Sequence, residues 1–224
     1  SEALPRLTTE RLQRLSVAKV IPANTALLQE DHAINSIAFS DDGRRCFTAA
    51  AGGLITQIDM ESGSVLRTVL SKDTGVTRLC ATHTGDAVLY ASNKSDDGTI
   101  HYHSLHDNRF LFHFRGHKKR VVGVDMSPKD DLFVSSSMDG SIGLWDLRER
   151  CCVSKLHVSA GASAVAFDQK GQIFAIGMPN GQVQLMDPRN LGQGSFATFF
   201  QDACLYMGLP ALRFSPDGTC VAVL

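Results

Sequence analysis

Short apolar runs separated by polar turns repeat along this chain, and residues 115–146 show the pattern most fully. That stretch reads RGHKKRVVGVDMSPKDDLFVSSSMDGSIGLWD, so a Gly-His pair opens it and a Trp-Asp pair closes it. Its apolar runs at 121–126, 132–134 and 142–145 are divided by turns rich in Ser, Pro, Asp and Gly. Runs of this length bounded by turn residues predict a small sheet of β-strands.

The first apolar run of this unit recurs along the chain at a nearly constant interval. The last residues of the runs are 42, 45, 41 and 47 residues apart, at Phe39, Ala81, Met126, Phe167 and Phe214. A period in the forties with about four strands per repeat is typical of β-propeller blades of the WD-repeat type. Two unrelated β-sandwiches, the alternative, would not explain a fixed interval. The sequence therefore predicts an all-β WD-repeat β-propeller.

The propeller is expected to occupy residues 17–224, after a tail or short helix at 1–16. Residues 17–21 predict a strand that closes the last blade, because an open ring leaves unpaired strand edges. A ring of about seven blades of ~42 residues needs roughly 290 residues, so this sequence covers about four and a half blades and the closing strand. The blades are predicted at 31–70, 72–114, 115–157, 158–200 and, incomplete, 201–224.

A glycine ends the turn after the second run in four blades, at Gly53, Gly98, Gly140 and Gly181. Glycine adopts a positive φ without steric cost, which two-residue hairpin turns require. We therefore expect tight hairpins at these positions.

Composition and charge limit the possible partners. The chain is 43% hydrophobic and 20% charged, which is typical of a globular protein with a real core. The net charge of -1 argues against general attraction to nucleic acid or to an anionic membrane. There is no apolar run near ~18 residues, so no membrane span is expected.

Six cysteines are scattered through the chain without any Cys-x-x-Cys motif. A cysteine-based zinc site therefore has no support. Most of these cysteines lie in apolar runs, where we expect buried free thiols and hence a reducing compartment. No metal or other cofactor is predicted.

Residues at four positions of the third blade have the spacing of the hydrogen-bonded tetrad of WD-repeat blades: His117, Ser135 or Ser137, Asp139 and Trp145. A hydrolase triad uses the same residue types, but here they belong to one repeat and no Gly-x-Ser-x-Gly motif accompanies them. We interpret them as a structural network that satisfies buried polar groups. No catalytic residue and no small-molecule substrate are predicted.

Two further clusters are candidate sites. His101 and His103 alternate along a predicted strand, so both imidazoles share one face. Zinc binding is conceivable there, but the surrounding sequence completes no ligand set, and surface or hairpin positions are the favoured interpretation. Trp145, Asp146 and Arg148 fit a short Trp-Asp-x-Arg pattern by which some propellers dock onto a cullin-type ubiquitin ligase adaptor.

The one basic cluster lies in the loop that enters the third blade. It consists of Arg115, Lys118, Lys119 and Arg120. The simpler interpretation is a solvated loop. The functional one is an anion site for a phosphorylated or acidic peptide.

Several stretches resemble the WD-repeat protein eighty-two family, whose yeast relatives are Swd-type COMPASS subunits. YASNKSDDGTIHYHSLHDNRF fills the second blade, which lacks the generic signature, so this likeness is specific. The remaining matching stretches are SVAKV at 16–20, SK at 71–72, the third blade through 148, and FATF at 196–199. The resemblance covers essentially all of 16–224.

This resemblance implies a non-catalytic scaffold in the nucleus. The family serves in the SET-domain histone methyltransferase complex that marks lysine four of histone three, and in a protein phosphatase one complex linked to transcription termination. It also implies recognition of the serine-phosphorylated tail of RNA polymerase II. The expected partners are thus a methyltransferase subunit, a phosphatase regulatory subunit and that tail, with no direct contact to nucleic acid or membrane.

Two other classes of function stay open at this point. One is a substrate receptor of a cullin-type ubiquitin ligase, which rests on Trp145, Asp146 and Arg148. The other is an enzyme built on a propeller, which would need His, Asp or Glu side chains from several blades to converge at the ring's axis. Affinity purification from nuclear extract distinguishes the scaffold from the ligase receptor.

Overall fold

A computed structural model describes residues 33–71, 75–94, 96–159, 161, 164–200 and 211–223. In these ranges the chain forms four four-stranded antiparallel sheets and one two-stranded sheet. Strands pair in chain order within each sheet, which is the meander of a propeller blade. The predicted all-β propeller is confirmed. The predicted tail at 1–16 and the closing strand at 17–21 lie outside the described residues.

Eighteen strands make up these five sheets. Blade one contains β1 (Ile34–Phe39), β2 (Arg45–Ala50), β3 (Leu54–Asp59) and β4 (Val65–Leu70). Blade two contains β5 (Arg78–Ala81), β6 (Ala87–Ala91), β7 (Ile100–Ser104) and β8 (Arg109–Phe114). Blade three contains β9 (Val121–Met126), β10 (Leu132–Ser137), β11 (Ser141–Asp146) and β12 (Cys151–His157). Blade four contains β13 (Ala164–Phe167), β14 (Phe174–Gly177), β15 (Gln182–Met186) and β16 (Ala197–Phe200), and the fifth sheet β17 (Leu212–Phe214) and β18 (Val221–Val223).

The first strands of successive sheets lie side by side around the axis of the molecule. β1 packs on β5, β5 on β9, β9 on β13 and β13 on β17. Each first strand ends at one of the five residues that define the sequence period: Phe39, Ala81, Met126, Phe167 and Phe214. Residues that are about 40 positions apart in sequence therefore become neighbours at the axis.

The hydrophobic core lies between consecutive sheets. One cluster joins blades two and three through Phe114, Phe133 and Trp145, and the neighbouring clusters join the other pairs of sheets in the same way. Each of these side chains is less than 3% exposed, which for an aromatic ring corresponds to about 2–3 kcal/mol of favourable burial. A blade is thus stabilised mainly by its neighbours.

Three of the four turn glycines have the predicted positive φ: Gly53 at 87°, Gly140 at 80° and Gly181 at 78°. Gly98 is not among the positive-φ residues, so the expectation fails there. A Cβ at Gly98 would lie 2.4 Å from the carbonyl oxygen of His117. Close approach of the third blade's entry loop, and not backbone conformation, therefore requires glycine at this position.

The cysteine prediction holds only in part. Cys46 is buried, but Cys151, Cys152 and Cys220 are exposed free thiols. Cys151 and Cys152 lie on β12, the outermost strand of blade three, and because consecutive side chains point to opposite faces, both faces of this strand are exposed there. An apolar run therefore does not imply burial on an outer strand.

Candidate functional site

A buried chain of hydrogen bonds in blade three starts at the Trp145 indole. Trp145 Nε1 donates to Ser135 Oγ at 2.8 Å, and Ser135 Oγ lies 2.6 Å from His117 Nε2. The strand register pairs Phe133 with Trp145, so Ser135, two residues further on, faces the same side of the sheet. The sequence of β10 and β11 therefore sets the contact.

The chain continues through a residue that sequence reasoning missed. His117 Nδ1 lies 2.6 Å from Ser141 Oγ, and Ser141 Oγ donates to Asp139 Oδ1 at 2.5 Å. Because the Ser141 proton goes to the carboxylate, its oxygen accepts from His117 Nδ1–H. His117 Nε2 is then the acceptor for Ser135 O–H. The position of Ser141, the first residue of β11, was the only signal for this role.

The pKa shifts of His117 and Asp139 agree with a structural role for this network. Burial lowers the pKa of His117 to about 4, against the opposing effect of the Asp139 charge. Partial burial raises the pKa of Asp139, but hydrogen bonds from Ser141 and from Lys118 N–H hold it well below its usual range. The His117 side chain is 0% exposed, so no substrate reaches the imidazole. The network satisfies buried polar groups.

Ser137, the alternative to Ser135, lies outside the link between His117 and Trp145. Its hydroxyl donates to the Lys119 carbonyl oxygen at 2.9 Å. A bulge separates Ser136 from Ser137 in the pairing with β9, and Ser137 lies near the turn instead. Of the two alternatives, Ser135 therefore takes the position between His117 and Trp145, and Ser137 instead fixes the entry loop.

The basic entry loop is held by the turn at Asp139. Lys118 N–H donates to Asp139 Oδ2 at 2.6 Å, and Met138 N–H donates to the Arg120 carbonyl at 3.0 Å. The same carboxylate thus contacts both the buried chain and the loop backbone. Packing of Trp145 inside the blade consequently determines where the basic loop lies.

The four predicted basic residues do not form one uniform patch. Arg115, Lys118 and Lys119 are exposed, whereas Arg120 is partly buried. Arg120 lines a cavity of about 230 Å³ together with Arg78, the first residue of β5. Sequence reasoning missed Arg78, because its only signal is an arginine at the start of an apolar run. Its position beside Arg120 depends on the packing of blades two and three.

The residues of the Trp-Asp-x-Arg pattern differ in accessibility. Trp145 is 2% exposed and packs against Phe133 and Phe114. Asp146 Oδ1 accepts hydrogen bonds from the backbone N–H of Arg148, so it stabilises the turn after β11. The Arg148 side chain is 72% exposed, with its Nε 3.2 Å from Asp131. Only Arg148 of these three is available to an adaptor.

His101 and His103 are buried, so the expectation of surface or hairpin positions is wrong. His103 takes the position of Trp145: in the strand register it pairs with Val88 as Trp145 pairs with Phe133. His101 Nδ1 lies 2.8 Å from His113 Nδ1. Burial, followed by the charge of His113, lowers the pKa of His101 to about 4. The register places these rings in the core regardless of their polarity.

The same inward position carries a different residue in each of the four four-stranded sheets, and among their described residues only blade three has the full tetrad. The four residues are Ile58, His103, Trp145 and Met186, all less than 9% exposed. An apolar residue there needs no hydrogen-bond partner. This explains why blades one and four keep the fold after losing the signature pair.

Three carboxylates line the central cavity of about 550 Å³, from three different blades: Asp41, Asp125 and Asp168. Carboxylates from several blades therefore converge at the axis, which is the arrangement that an enzyme built on a propeller would need. Burial raises the pKa of Asp125 to about 6, and its Oδ2 accepts Phe167 N–H at 2.7 Å. Asp168 accepts backbone N–H of Gln172 and Ile173. These carboxylates join neighbouring strands and turns.

No group of three or more His, Cys, Asp or Glu side chains in the described ranges is arranged to hold a metal ion. Among the same residues, no helix is long and apolar enough to cross a bilayer.

Comparison with known proteins gives one consistent result. Residues 25–59 and 108–146 match the family described as WD domain, G-beta repeat. The chain is 35% identical over 218 residues to "WD repeat-containing protein 82" of Drosophila melanogaster, covering 97% of this chain and 66% of that protein. It therefore spans just under two thirds of the length of this relative.

Two yeast relatives carry a further description. The chain is 37% identical over 142 residues to "Set1 complex component swd2" of Schizosaccharomyces pombe, covering 63% of this chain and 39% of that protein. It is 29% identical over 194 residues to "COMPASS component SWD2" of Saccharomyces cerevisiae, covering 85% and 57%.

Proposed function

Because this chain belongs to the WD-repeat family that includes WD repeat-containing protein 82, we propose that it is a non-catalytic subunit of a nuclear Set1/COMPASS-type complex. Such a complex methylates lysine four of histone three. The observation that carries the proposal is the match over 97% of the chain, together with two relatives described as Set1 or COMPASS components.

The geometry of the polar residues supports a scaffold. The only Asp-His-Ser arrangement singled out from the sequence is closed to solvent, and each of its donors already has an acceptor within the blade. A buried and fully bonded network rigidifies a fold, and within this network no group is left free for acid or base catalysis. The exposed loops at the rim are then the working surface.

The finer partners belong to the same proposal. A SET-domain methyltransferase subunit is the expected stable partner, and a regulatory subunit of a protein phosphatase one complex linked to transcription termination is the second. The serine-phosphorylated tail of RNA polymerase II is the expected regulated partner, met by Arg115, Lys118, Lys119 and Arg120. Their positive charge suits phosphate.

Affinity purification from nuclear extract tests complex membership. The full tagged chain should co-purify the Set1-type methyltransferase subunit, whereas the tag alone and an unrelated WD-repeat propeller should not. In a matched experiment, depletion of the protein should lower methylation of lysine four of histone three, and the full chain should restore it. Recovery of a cullin adaptor in place of the methyltransferase would favour the ubiquitin ligase receptor and contradict the proposal.

Tail binding has its own measurement. A tail peptide carrying phosphoserine should bind the full chain more tightly than the unphosphorylated peptide. The variant Lys118→Glu with Lys119→Glu should weaken that binding, and the effect should shrink as salt is raised because both lysines are exposed. Unchanged affinity would remove the lysines from the binding surface.

A further inference from the structure

Two arginines line one cavity at the end of the molecular axis where the first strands of blades two and three begin; we call this end the channel mouth. Arg78 is the first residue of β5, and Arg120 directly precedes β9. Since β5 and β9 pack side by side, the two residues line one cavity of about 230 Å³. A third arginine, Arg213 on β17, shares a neighbouring cavity of about 140 Å³ with Arg78.

No carboxylate of the described residues lines either cavity. The first is lined by Asn35, Thr77, Arg78, Arg120, Val121 and Val122. In the second, Arg78 and Arg213 are the only charged residues, and the others are apolar or glycine. Arg213 has a carboxylate neighbour, Asp125, at 3.5 Å, but that contact lies outside both linings. Positive charge is thus concentrated here without a counter-charge in the walls.

The charges of Arg78 and Arg120 are uncompensated within the described part of the chain. Six other described arginines have a carboxylate within 4.0 Å, as Arg45 does with Asp86, but no described carboxylate lies that close to Arg78 or Arg120. Arg78 Nε donates only to the Val122 carbonyl, at 2.8 Å. Burial, followed by the charges of Arg213 and Arg120, lowers the pKa of Arg78.

Arg120 adds a second, independent indication. Its Nε is buried and has no hydrogen-bond partner among the described residues. A buried donor that makes no bond is costly, so native structures rarely leave one unless a water or ligand completes it. An oxyanion in the cavity would satisfy this donor and reduce the repulsion between the two guanidinium groups.

We propose that Arg78 and Arg120 form a phosphate-binding site at the channel mouth, and that its occupant is a phosphorylated side chain of an extended peptide. This inference rests on the proposed tail binding and moves its specific contact from the exposed loop to the channel. A phosphate monoester carries nearly two negative charges and three acceptor oxygens, which match two guanidinium forks.

The lysines of the entry loop then have a different role from the two arginines. Lys118 and Lys119 are exposed on the same loop that ends in Arg120, so they attract a phosphorylated chain from a distance. Their contribution falls with salt, because exposed charges are screened beyond about 10 Å at 0.1 M. Direct bonds from the partly buried Arg78 and Arg120 are screened less. The two sets of residues are therefore separable by salt.

The test uses the full chain and a two-repeat RNA polymerase II tail peptide labelled with a fluorophore, with and without phosphoserine. Arg78→Gln and Arg120→Gln should each weaken binding of the phosphorylated peptide by roughly tenfold or more, at both low and high salt. Arg109→Gln is the matched control, because the Arg109 side chain is 79% exposed on β8, and it should bind as wild type. The unphosphorylated peptide should bind weakly to all four proteins.

Folding of each variant is checked by its melting temperature. Arg78→Gln removes the hydrogen bond to the Val122 carbonyl and could for that reason fail to fold. In that case Arg78→Lys and Arg120→Gln are used for the test. Arg78→Lys keeps the positive charge but loses the planar guanidinium fork, so it should still bind the phosphopeptide more weakly than wild type. Unchanged affinity in folded arginine variants would overturn the inference. Loss confined to the Lys118 and Lys119 variant would overturn it as well.

Inorganic phosphate separates a peptide site from a site for free anion. It should compete only at concentrations far above the peptide's Kd. If inorganic phosphate bound as tightly as the phosphopeptide, the assignment of a peptide as the occupant would be overturned. Co-purification of the methyltransferase subunit distinguishes the two proposals. If the phosphopeptide does not bind wild type while co-purification persists, the channel site fails and complex membership stands. If co-purification is lost while phosphopeptide binding persists, complex membership fails and the channel site stands.

Discussion

Acidification should destabilise this protein through His117, and the size of the effect can be worked out from its environment. The pKa of His117 is lowered to about 4 by burial, whereas in the unfolded chain it is about 6.5. Below pH 6.5 the unfolded chain takes up a proton that the folded blade does not. Stability is therefore lost as the pH falls from about 6.5 towards about 4. Linkage gives a loss of about 2 kcal/mol between pH 7 and pH 5.

Other groups change protonation in the same interval, so a single pH comparison is not enough. His101, with a pKa lowered to about 4, adds a loss of similar size. Asp125 acts in the opposite direction: burial raises its pKa to about 6, so the folded state binds the extra proton and gains about 1 kcal/mol at pH 5. The contribution of His117 is isolated by subtraction between wild type and a variant without the imidazole.

The assay is urea unfolding at pH 7 and pH 5, followed by fluorescence of Trp145, the only tryptophan. His117→Gln should be less stable than wild type at pH 7, because hydrogen bonds to Ser135 and Ser141 are disturbed. It should nevertheless lose about 2 kcal/mol less than wild type on going to pH 5. Ser135→Ala is the control, since it weakens the network but keeps the imidazole and hence the pH dependence. Equal losses in wild type and His117→Gln would refute the reasoning.

Three further outcomes are expected from the same structure. Gly143→Ala should lower the free energy of unfolding in urea by about 1–3 kcal/mol, because its Cβ would lie 2.5 Å from the buried indole nitrogen; no change would show that the indole moves freely. Asp139→Asn should speed hydrogen exchange of the Lys118 amide, whose N–H donates a hydrogen bond to the Asp139 carboxylate at 2.6 Å; unchanged protection would contradict the role of Asp139 in holding the entry loop. A maleimide should label exposed Cys151 quickly in the native protein and buried Cys46 only after unfolding; equal rates would contradict the assigned burial.

The strands could be predicted because their signals are local. Alternation and turn residues operate within about ten positions, and the last residue of each first strand was located from them alone. The choice between Ser135 and Ser137 could not be made in this way. Both have the same parity along β10, and a bulge opposite β9 distinguishes them. Register between strands is a tertiary property that one strand's sequence does not contain.

The remaining errors have the same origin. Polarity predicted that His101 and His103 are exposed, but the register of β6 and β7 places His103 at the buried position of Trp145. Arg78 carried no local signal, because its neighbour Arg120 lies 42 positions away in sequence. The repeat itself predicts such neighbours: residues one period apart meet at the axis. Comparing charges at that spacing would have found this pair.

The proposed phosphate site depends on one hydrogen-bonded link in blade three. Asp139 accepts a hydrogen bond from Ser141 on its buried side and from Lys118 N–H on its loop side, so the packed indole and the entry loop share one carboxylate. Arg120 lies two residues after Lys118, and its carbonyl oxygen accepts a hydrogen bond from Met138 N–H. This bond fixes the backbone at Arg120, whose side chain lines the cavity at the channel mouth. A site fixed in advance loses little conformational entropy on binding, which is why a residue buried in the blade can control recognition at the rim.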